Sequence, residues 1–349
     1  MSALRDKLVA ASTLKYTSPL EKSEVFGPKV MVSTAVPMIN VALSGRVDGG
    51  ISPGLLTLAG PSKHFKSVFG LIMAAAWMKK HKDCELLFFD SEFGSPLSYF
   101  ESLGIDTTRV THIPITNVEE LKVEVSNMLS VIGKKDKVFI LIDSIGNLAS
   151  KKEVDDAMDG KSVADMTRAK QLKSVFRIIT PHLTLKKIPM VVINHTYMTQ
   201  EMFSKAVVSG GTGVYYSSDD VWIIGRQQDK AKASDKTISG YNFIINIDKS
   251  RSVVEKSKIP ITVSFEGGVA KFSGLFELAK EAGILTSAKV GWYQYVDSDG
   301  VVDESKSYRA RDFDKDEVFW TKVFKETKFA DWIKNKYTLS TGSLIEDDE

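Results

Sequence analysis

A lysine followed by a hydroxyl residue, set in the stretch Gly60-Pro61-Ser62-Lys63-His64-Phe65-Lys66-Ser67, is the most chemically suggestive feature of the sequence. It follows a short apolar run at residues 55–59 and precedes a helical run ending near Lys80. A turn that grips phosphate needs backbone N–H groups at a helix N-terminus, a lysine to reach the β/γ oxygens and a hydroxyl to hold Mg²⁺. Lys66 supplies the cation and Ser67 the hydroxyl, and Gly60, Pro61, Ser62, Lys63, His64, Phe65 and Val68 complete the candidate contacts. Phe65 stands where the pattern G-x-x-x-x-G-K-[ST] has glycine. A phenylalanine forced to positive φ costs roughly 1–2 kcal/mol. The bland alternative is a lysine-capped turn without a ligand.

Two carboxylates could serve such a turn. Asp143 ends the apolar run 137–143, where a carboxylate at a strand's C-terminal edge can hold the water shell of Mg²⁺ opposite Ser67. Glu92 follows the run 84–90 on the same predicted sheet edge, where it could orient and partly deprotonate a water. Its alternative is a carboxylate favoured by a helix N-terminus.

The elements that must position these groups follow from hydrophobic patterning. Runs at residues 55–59, 84–90, 137–143, 189–194 and 221–225 alternate with long amphipathic stretches. Runs apolar on both faces suit parallel strands covered by helices on each side, which predicts an α/β core. Residues 242–248 and 259–265 alternate instead, with Ile259, Ile261, Val263 and Phe265 on one side, as antiparallel strands near an edge do. Between the run 221–225 and residues 242–248, residues 227–240 read as a polar hairpin. The 349 residues carry 46 Lys+Arg against 44 Asp+Glu, 26% charged and 43% apolar positions, which excludes a disordered or fibrous chain. One cysteine, Cys84, excludes a disulfide framework and fits a reducing compartment, so a cytoplasmic location is expected. No apolar run approaches the ~20 residues that cross a bilayer, and no secretory address is readable. We expect no membrane partner. A sequence pI of about 8.3 does not by itself announce nucleic-acid binding.

With these residues in place, the sequence resembles the RecA family of recombinases over nearly its whole length, and most closely the bacteriophage UvsX-type branch. The anchors are the loop from Gly60 to Ser67, Phe89-Asp90-Ser91-Glu92-Phe93-Gly94, Asp143-Ser144-Ile145-Gly146-Asn147-Leu148, Ile193-Asn194-His195-Thr196 and Gly210-Gly211-Thr212-Gly213. The resemblance implies a RecA-like P-loop ATPase core with a mostly parallel central sheet at residues 31–266. It also implies an N-terminal helical oligomerisation arm at 1–30 and a small α+β C-terminal domain with an acidic tail at 267–349. It implies ATP and Mg²⁺ as cofactors, tolerance of Phe65 within the branch, Glu92 as the catalytic glutamate, and Tyr99 as an aromatic stacking on adenine. His195 matches the polar residue that senses the γ-phosphate. Lys249 and Arg251 match paired cations inserted into the neighbouring subunit's nucleotide, and Tyr216 an interface aromatic.

The same resemblance implies DNA-binding loops after two strand tips. In the first, Lys161 and Arg168 are the candidate cations, although Asp155, Asp156, Asp159 and Asp165 oppose DNA. In the second, Tyr197, Met202, Phe203, Lys205, Gly210 and Gly211 combine a cation, apolar or aromatic faces and flexible turns, as single-strand binding requires. A net charge of +2 neutralises few phosphates per protomer, so affinity must come from many protomers on one strand. Leu4 and Leu8 lie one helical turn apart in an arm too short to be stable alone. The expected partners are single-stranded DNA, homologous double-stranded DNA, further copies in a helical filament, a single-strand-binding protein and a recombination mediator. The expected function is DNA-dependent ATP hydrolysis driving homologous pairing and strand exchange in recombination, repair and replication. Two rivals share the fold: a hexameric helicase motor, and a scaffold that binds ATP and DNA without hydrolysis.

Overall fold

The computed structural model describes residues 3–23, 25–27, 30–160, 167–199, 206–230 and 238–339. A helix α1 (Ala3–Ala11) and a helix α2 (Pro37–Ser44) precede strand β1 (Gly54–Ala59). The chain then alternates through α3 (Lys66–Lys80), β2 (Glu85–Asp90), α4 (Leu97–Ser102), β3 (Val110–Pro114), α5 (Val118–Val131) and β4 (Val138–Asp143). Two helices, α6 (Lys151–Met158) and α7 (Thr167–Lys186), lead into β5 (Pro189–Asn194). A small hairpin of β6 (Thr196–Met198) and β7 (Ala206–Val208) and the helix α8 (Thr212–Ser217) come before β8 (Asp220–Lys230). The sheet finishes with β9 (Ile238–Lys249), β10 (Lys258–Ser264) and β11 (Gly268–Val269). Beyond it lie α9 (Leu275–Glu281), a hairpin of β12 (Leu285–Lys289) and β13 (Trp292–Tyr295), α10 (Glu317–Glu326) and α11 (Phe329–Tyr337).

The strands form one nine-stranded sheet in the order β11-β10-β9-β8-β1-β5-β4-β2-β3. From β3 to β8 every pairing is parallel, and from β8 to β11 every pairing is antiparallel. The expected mostly parallel α/β sheet is what the chain builds. β4 and β5 are buried along their whole length because helices cover both faces, which explains their unbroken apolar sequence. The edge strand β3 escapes the sequence reading. Its residues Thr111, His112 and Pro114 are exposed, so it lacks the apolar run that marks its neighbours.

Ile259, Ile261 and Val263 do share the buried face of β10, but Phe265 lies past the strand end and is 62% exposed. β8 and β9 continue into the polar segment expected to be a hairpin, whose tip at 231–237 lies outside the described residues. No residue of α1 is buried, and Leu4 and Leu8 are both 64% exposed, so the arm gains little from the body of its own chain. Among the described residues no helix is long and apolar enough to cross a membrane.

The C-terminal segment has an aromatic centre. Trp320 is fully buried, donates its indole Nε1–H to the Phe313 carbonyl at 2.6 Å, and packs against Phe313, Phe319 and Phe329. Trp320→Ala should remove about 3–5 kcal/mol of stability, read as a fall in the urea midpoint; a change within error would show that this cluster does not hold the segment.

Candidate nucleotide site at the strand tips

The chemistry-bearing residues gather at the C-terminal ends of β1, β2, β4 and β5, where a parallel sheet with helices on both faces opens a crevice. Gly60 leaves β1 so close to β8 that a Cβ would stand 2.8 Å from the Ile224 carbonyl oxygen, which only glycine avoids. The turn then enters α3 through Phe65, whose φ of 63° and ψ of 14° are left-handed. The strain anticipated for a phenylalanine there is therefore real, and packing offsets it. The Phe65 ring stacks on Phe243 of β9 at 5.1 Å and meets Phe69 edge-on at 5.5 Å. Such aromatic pairs contribute about 0.5–1.5 kcal/mol each beyond the burial of their area. On the other side Arg226 of β8 donates from Nη1 to the Lys63 carbonyl at 3.1 Å and lies over the Tyr241 ring.

Lys66 is buried. Its Nζ donates to the carbonyls of Gly60 at 3.0 Å and Pro61 at 2.7 Å, so the loop supplies acceptors that a phosphate would replace. Burial draws its ammonium below the usual lysine range, and the charges of Glu92 and Asp143 act against that. Asp143 is 3% exposed, and its Oδ1 is buried without a hydrogen-bond partner among the described residues. Burial pushes its carboxyl up to about 6, against a hydrogen bond from Ser67. A buried carboxylate oxygen without a donor, beside a serine hydroxyl and a lysine, suits a hard divalent cation with its water shell. The residues expected to hold Mg²⁺, Ser67 and Asp143, therefore fit it.

Glu92 is held by groups from two other strand tips. Ser144, after β4, donates from Oγ to Glu92 Oε1 at 2.6 Å, and Asn147 Nδ2 donates to the same oxygen at 3.3 Å. His195, after β5, brings Nε2 to 3.2 Å from Glu92 Oε1, a close polar contact without hydrogen-bond alignment. The imidazole, and after it the Ser144 hydroxyl, holds the Glu92 carboxyl below its usual range against the opposing effect of burial. Asp90 fixes the approach, its Oδ1 accepting from the N–H groups of Glu92 at 3.1 Å and Phe93 at 2.8 Å. Ser91 and Ser144 are bonded both ways across the β2–β4 junction, Ser91 Oγ donating to the Ser144 carbonyl and Ser144 N to Ser91 Oγ. Gly146 lies against the imidazole, and a Cβ there would stand 2.1 Å from His195 Cδ2.

A cleft of about 1590 Å³ opens along the outer face of α3, lined by Phe65, Val68, Ile72, Tyr99 and Phe265 among others. Tyr99, 44% exposed, is thus an aromatic wall beside the loop rather than a core residue. Lys66, Ser67 and Glu92 are not in its lining, so the cleft meets the loop on its apolar side, away from the charged groups.

Other expected residues are placed differently. Arg168, expected to contact DNA, is engaged within the chain: its Nε donates to the Leu148 carbonyl at 2.6 Å and its Nη2 to those of Ile145 and Gly146 at 2.8 and 2.9 Å. Lys249 caps the C-terminal end of α8, donating to the carbonyls of Tyr215, Tyr216 and Ser218, and Arg251 pairs with Asp219 at 2.6 Å. Within one chain these cations therefore have partners, and neither reaches the nucleotide loop of its own chain. Tyr216 is 73% exposed. Tyr197 is exposed on β6, Gly210 and Gly211 take positive φ before α8, and Lys161, Met202, Phe203, Lys205 and the acidic tail lie outside the described residues. The sequence reading assigned no role to Asp90, Ser144, Gly146, Asn147, Arg226 or Phe243. The first four sit within the quoted strand-tip motifs, whereas Arg226 and Phe243 carry no local signal.

A phosphate-gripping turn between a parallel strand and a helix, with carboxylates on the adjacent strand tips, defines a P-loop nucleotide-binding protein. Residues 24–270 match the RecA N-terminal domain, and residues 272–333 match the C-terminal domain of the bacteriophage T4 recombination and repair protein. The chain is 49% identical to the "Recombination and repair protein" of Enterobacteria phage T4 over 97% of its own length and 87% of that protein's. It is 24% identical to the "Protein RecA" of Aquifex aeolicus over 77% of this chain and 76% of that one, and likewise 24% to that of Cytophaga hutchinsonii over 76% and 72%. The chain belongs to the RecA family of recombinases.

Two outcomes follow from this geometry. Phe65→Ala loses the stacking yet keeps a Cβ at positive φ, whereas Phe65→Gly loses the stacking and relieves the strain. The alanine variant should therefore be less stable than the glycine variant by about 1 kcal/mol, measured by urea unfolding; equal midpoints would show the turn to be unstrained. For Asp143, the folded protein binds the proton more tightly than the unfolded chain does, so stability falls as pH rises from about 4 to about 6. Asp143→Asn removes that penalty, on the order of 3 kcal/mol at neutral pH. It should raise the melting temperature of the nucleotide-free protein while weakening Mg²⁺-dependent nucleotide binding; a lowered melting temperature would contradict it.

Proposed function

We propose that this chain is a DNA-dependent ATPase that assembles on single-stranded DNA as a helical filament and drives homologous pairing and strand exchange. The observation that carries the reading is Glu92, kept ionised by His195 and Ser144 on the same sheet edge as the buried Lys66 and Asp143. An ionised, oriented carboxylate can accept a hydrogen bond from a water and partly deprotonate it as the water attacks the terminal phosphate. Lys66 would exchange its two loop carbonyls for phosphate oxygens. Mg²⁺, when bound by Ser67 and Asp143, neutralises phosphate charge. Adenine suits the part of the cleft beside Tyr99, Phe65 and Phe265, which offers aromatic faces for stacking.

His195 links the site to the loop after β5. The buried Asn194 accepts the His195 N–H at 2.8 Å and donates to the Ser209 carbonyl at 2.8 Å, while Ser209 N donates to the His195 carbonyl. A shift of the imidazole toward or away from phosphate is thus transmitted to both stems of the β6–β7 hairpin, where Tyr197 and Met198 are exposed for base stacking. In this reading Lys249 and Arg251 exchange their partners within the chain for the neighbouring protomer's triphosphate. The exposed Leu4 and Leu8 of α1 and Tyr216 lie at the contact between copies. Homologous duplex DNA, a single-strand-binding protein and a mediator are the further partners, residues 1–30, 31–266 and 267–349 the functional units, and the host cytoplasm the working compartment. In-trans cations and an unpartnered arm favour an open filament over a closed helicase ring.

ATP turnover with and without single-stranded DNA, together with electron microscopy of the mixture, tests this. Glu92→Gln should lose at least about 100-fold in kcat, while still forming filaments with ATP and DNA. Turnover equal to that of the unaltered protein would leave a binding scaffold as the better account.

A further inference from the structure

The Ser144–Leu148 turn carries three of the groups that fix the site: the Ser144 hydroxyl and Asn147 amide on Glu92, and Gly146 against the His195 ring. No regular element contains this turn, which runs between the end of β4 and the N-cap of α6. Its own backbone bonds are few. Ser144 N donates to Ser91 Oγ, and Ile145 N to the Ile193 carbonyl at 3.0 Å. The carbonyls of Ile145, Gly146 and Leu148 point instead at one side chain, Arg168, from the first turn of α7.

We propose that Arg168 is a positioning residue for hydrolysis, acting by clamping this turn so that Ser144, Asn147 and His195 meet Glu92. The inference rests on the ATPase reading and goes beyond it, because it separates the arginine from direct contact with DNA. Three features argue for the clamp. A planar guanidinium presents donors in a fixed fork, so its Nε and Nη2 hold the two ends of the turn in one rigid geometry, which a lysine's point charge does not reproduce. The side chain is half-buried under the turn, and burial lowers its basicity rather than presenting its charge to solvent. The bonds run to carbonyl oxygens, which are neutral acceptors, and among the described residues the one carboxylate that raises its basicity, Glu153, acts as a charge rather than as a hydrogen-bonded partner. The side chain thus occupies the geometry of a structural pin, one strand tip away from the carboxylate it serves.

The test compares Arg168→Lys with the unaltered protein at saturating single-stranded DNA, where turnover is full and a weakened DNA contact is overcome by concentration. The lysine variant keeps the positive charge and most of the packed stem, so folding is preserved even where Arg168→Ala unfolds. The clamp predicts a fall of at least tenfold in kcat at saturating DNA, with KM for ATP within twofold and a melting temperature within a few degrees. It also predicts faster amide exchange at residues 144–148 in nucleotide-free protein. This second readout needs no turnover, so it stands even if the unaltered protein proves not to hydrolyse ATP. Unchanged kcat at saturating DNA and unchanged exchange, with a loss confined to oligonucleotide affinity, would overturn the proposal and return Arg168 to the DNA-binding surface.

Discussion

A single carboxylate organises the strand-tip edge of this molecule. Glu92 stands beyond β2, receives a hydroxyl from the tip of β4 and an imidazole from the tip of β5, and its backbone is anchored by Asp90. The charge-assisted hydrogen bond from the Ser144 hydroxyl contributes about 1.5–3 kcal/mol. The parallel sheet makes the convergence possible. In-register pairing places Asp90 beside Asp143 and brings all the strand tips to one crevice.

The phosphate loop solves a different problem. It must keep a lysine and an aspartate buried and close together before any nucleotide arrives, which destabilises both charges. The lysine leans on carbonyls of its own loop, and the aspartate leaves one oxygen without a donor. A left-handed phenylalanine adds strain that Phe243 and Phe69 counter by packing. Stability is therefore lower here than a plain strand-helix turn would allow, and nucleotide with its cation is the natural compensation.

Much of this was legible in the residue order. The doubly apolar runs gave β1, β2, β4 and β5 to within a residue, because buried parallel strands have no polar face to blur them. The loop, Asp143 and Glu92 were legible because their chemistry is local. β3 was not, since three of its five residues face solvent. The surroundings of Arg168 were not legible for a related reason: a cation near a proposed DNA loop looks available, and only the fold reveals that three carbonyls from residues about 20 positions earlier already surround it. The stacking of Phe243 on Phe65 joins residues far apart in sequence and left no pattern to read.

The close approach of Gly146 to His195 ties the fates of two distant positions. The ring occupies the volume a methyl group at 146 would need. A lineage could exchange the imidazole for a slimmer, more pliant side chain and then admit alanine opposite it, but not in the reverse order. Drift at these two sites is thus directional, because room for a methyl group at 146 opens only once the ring at 195 has gone.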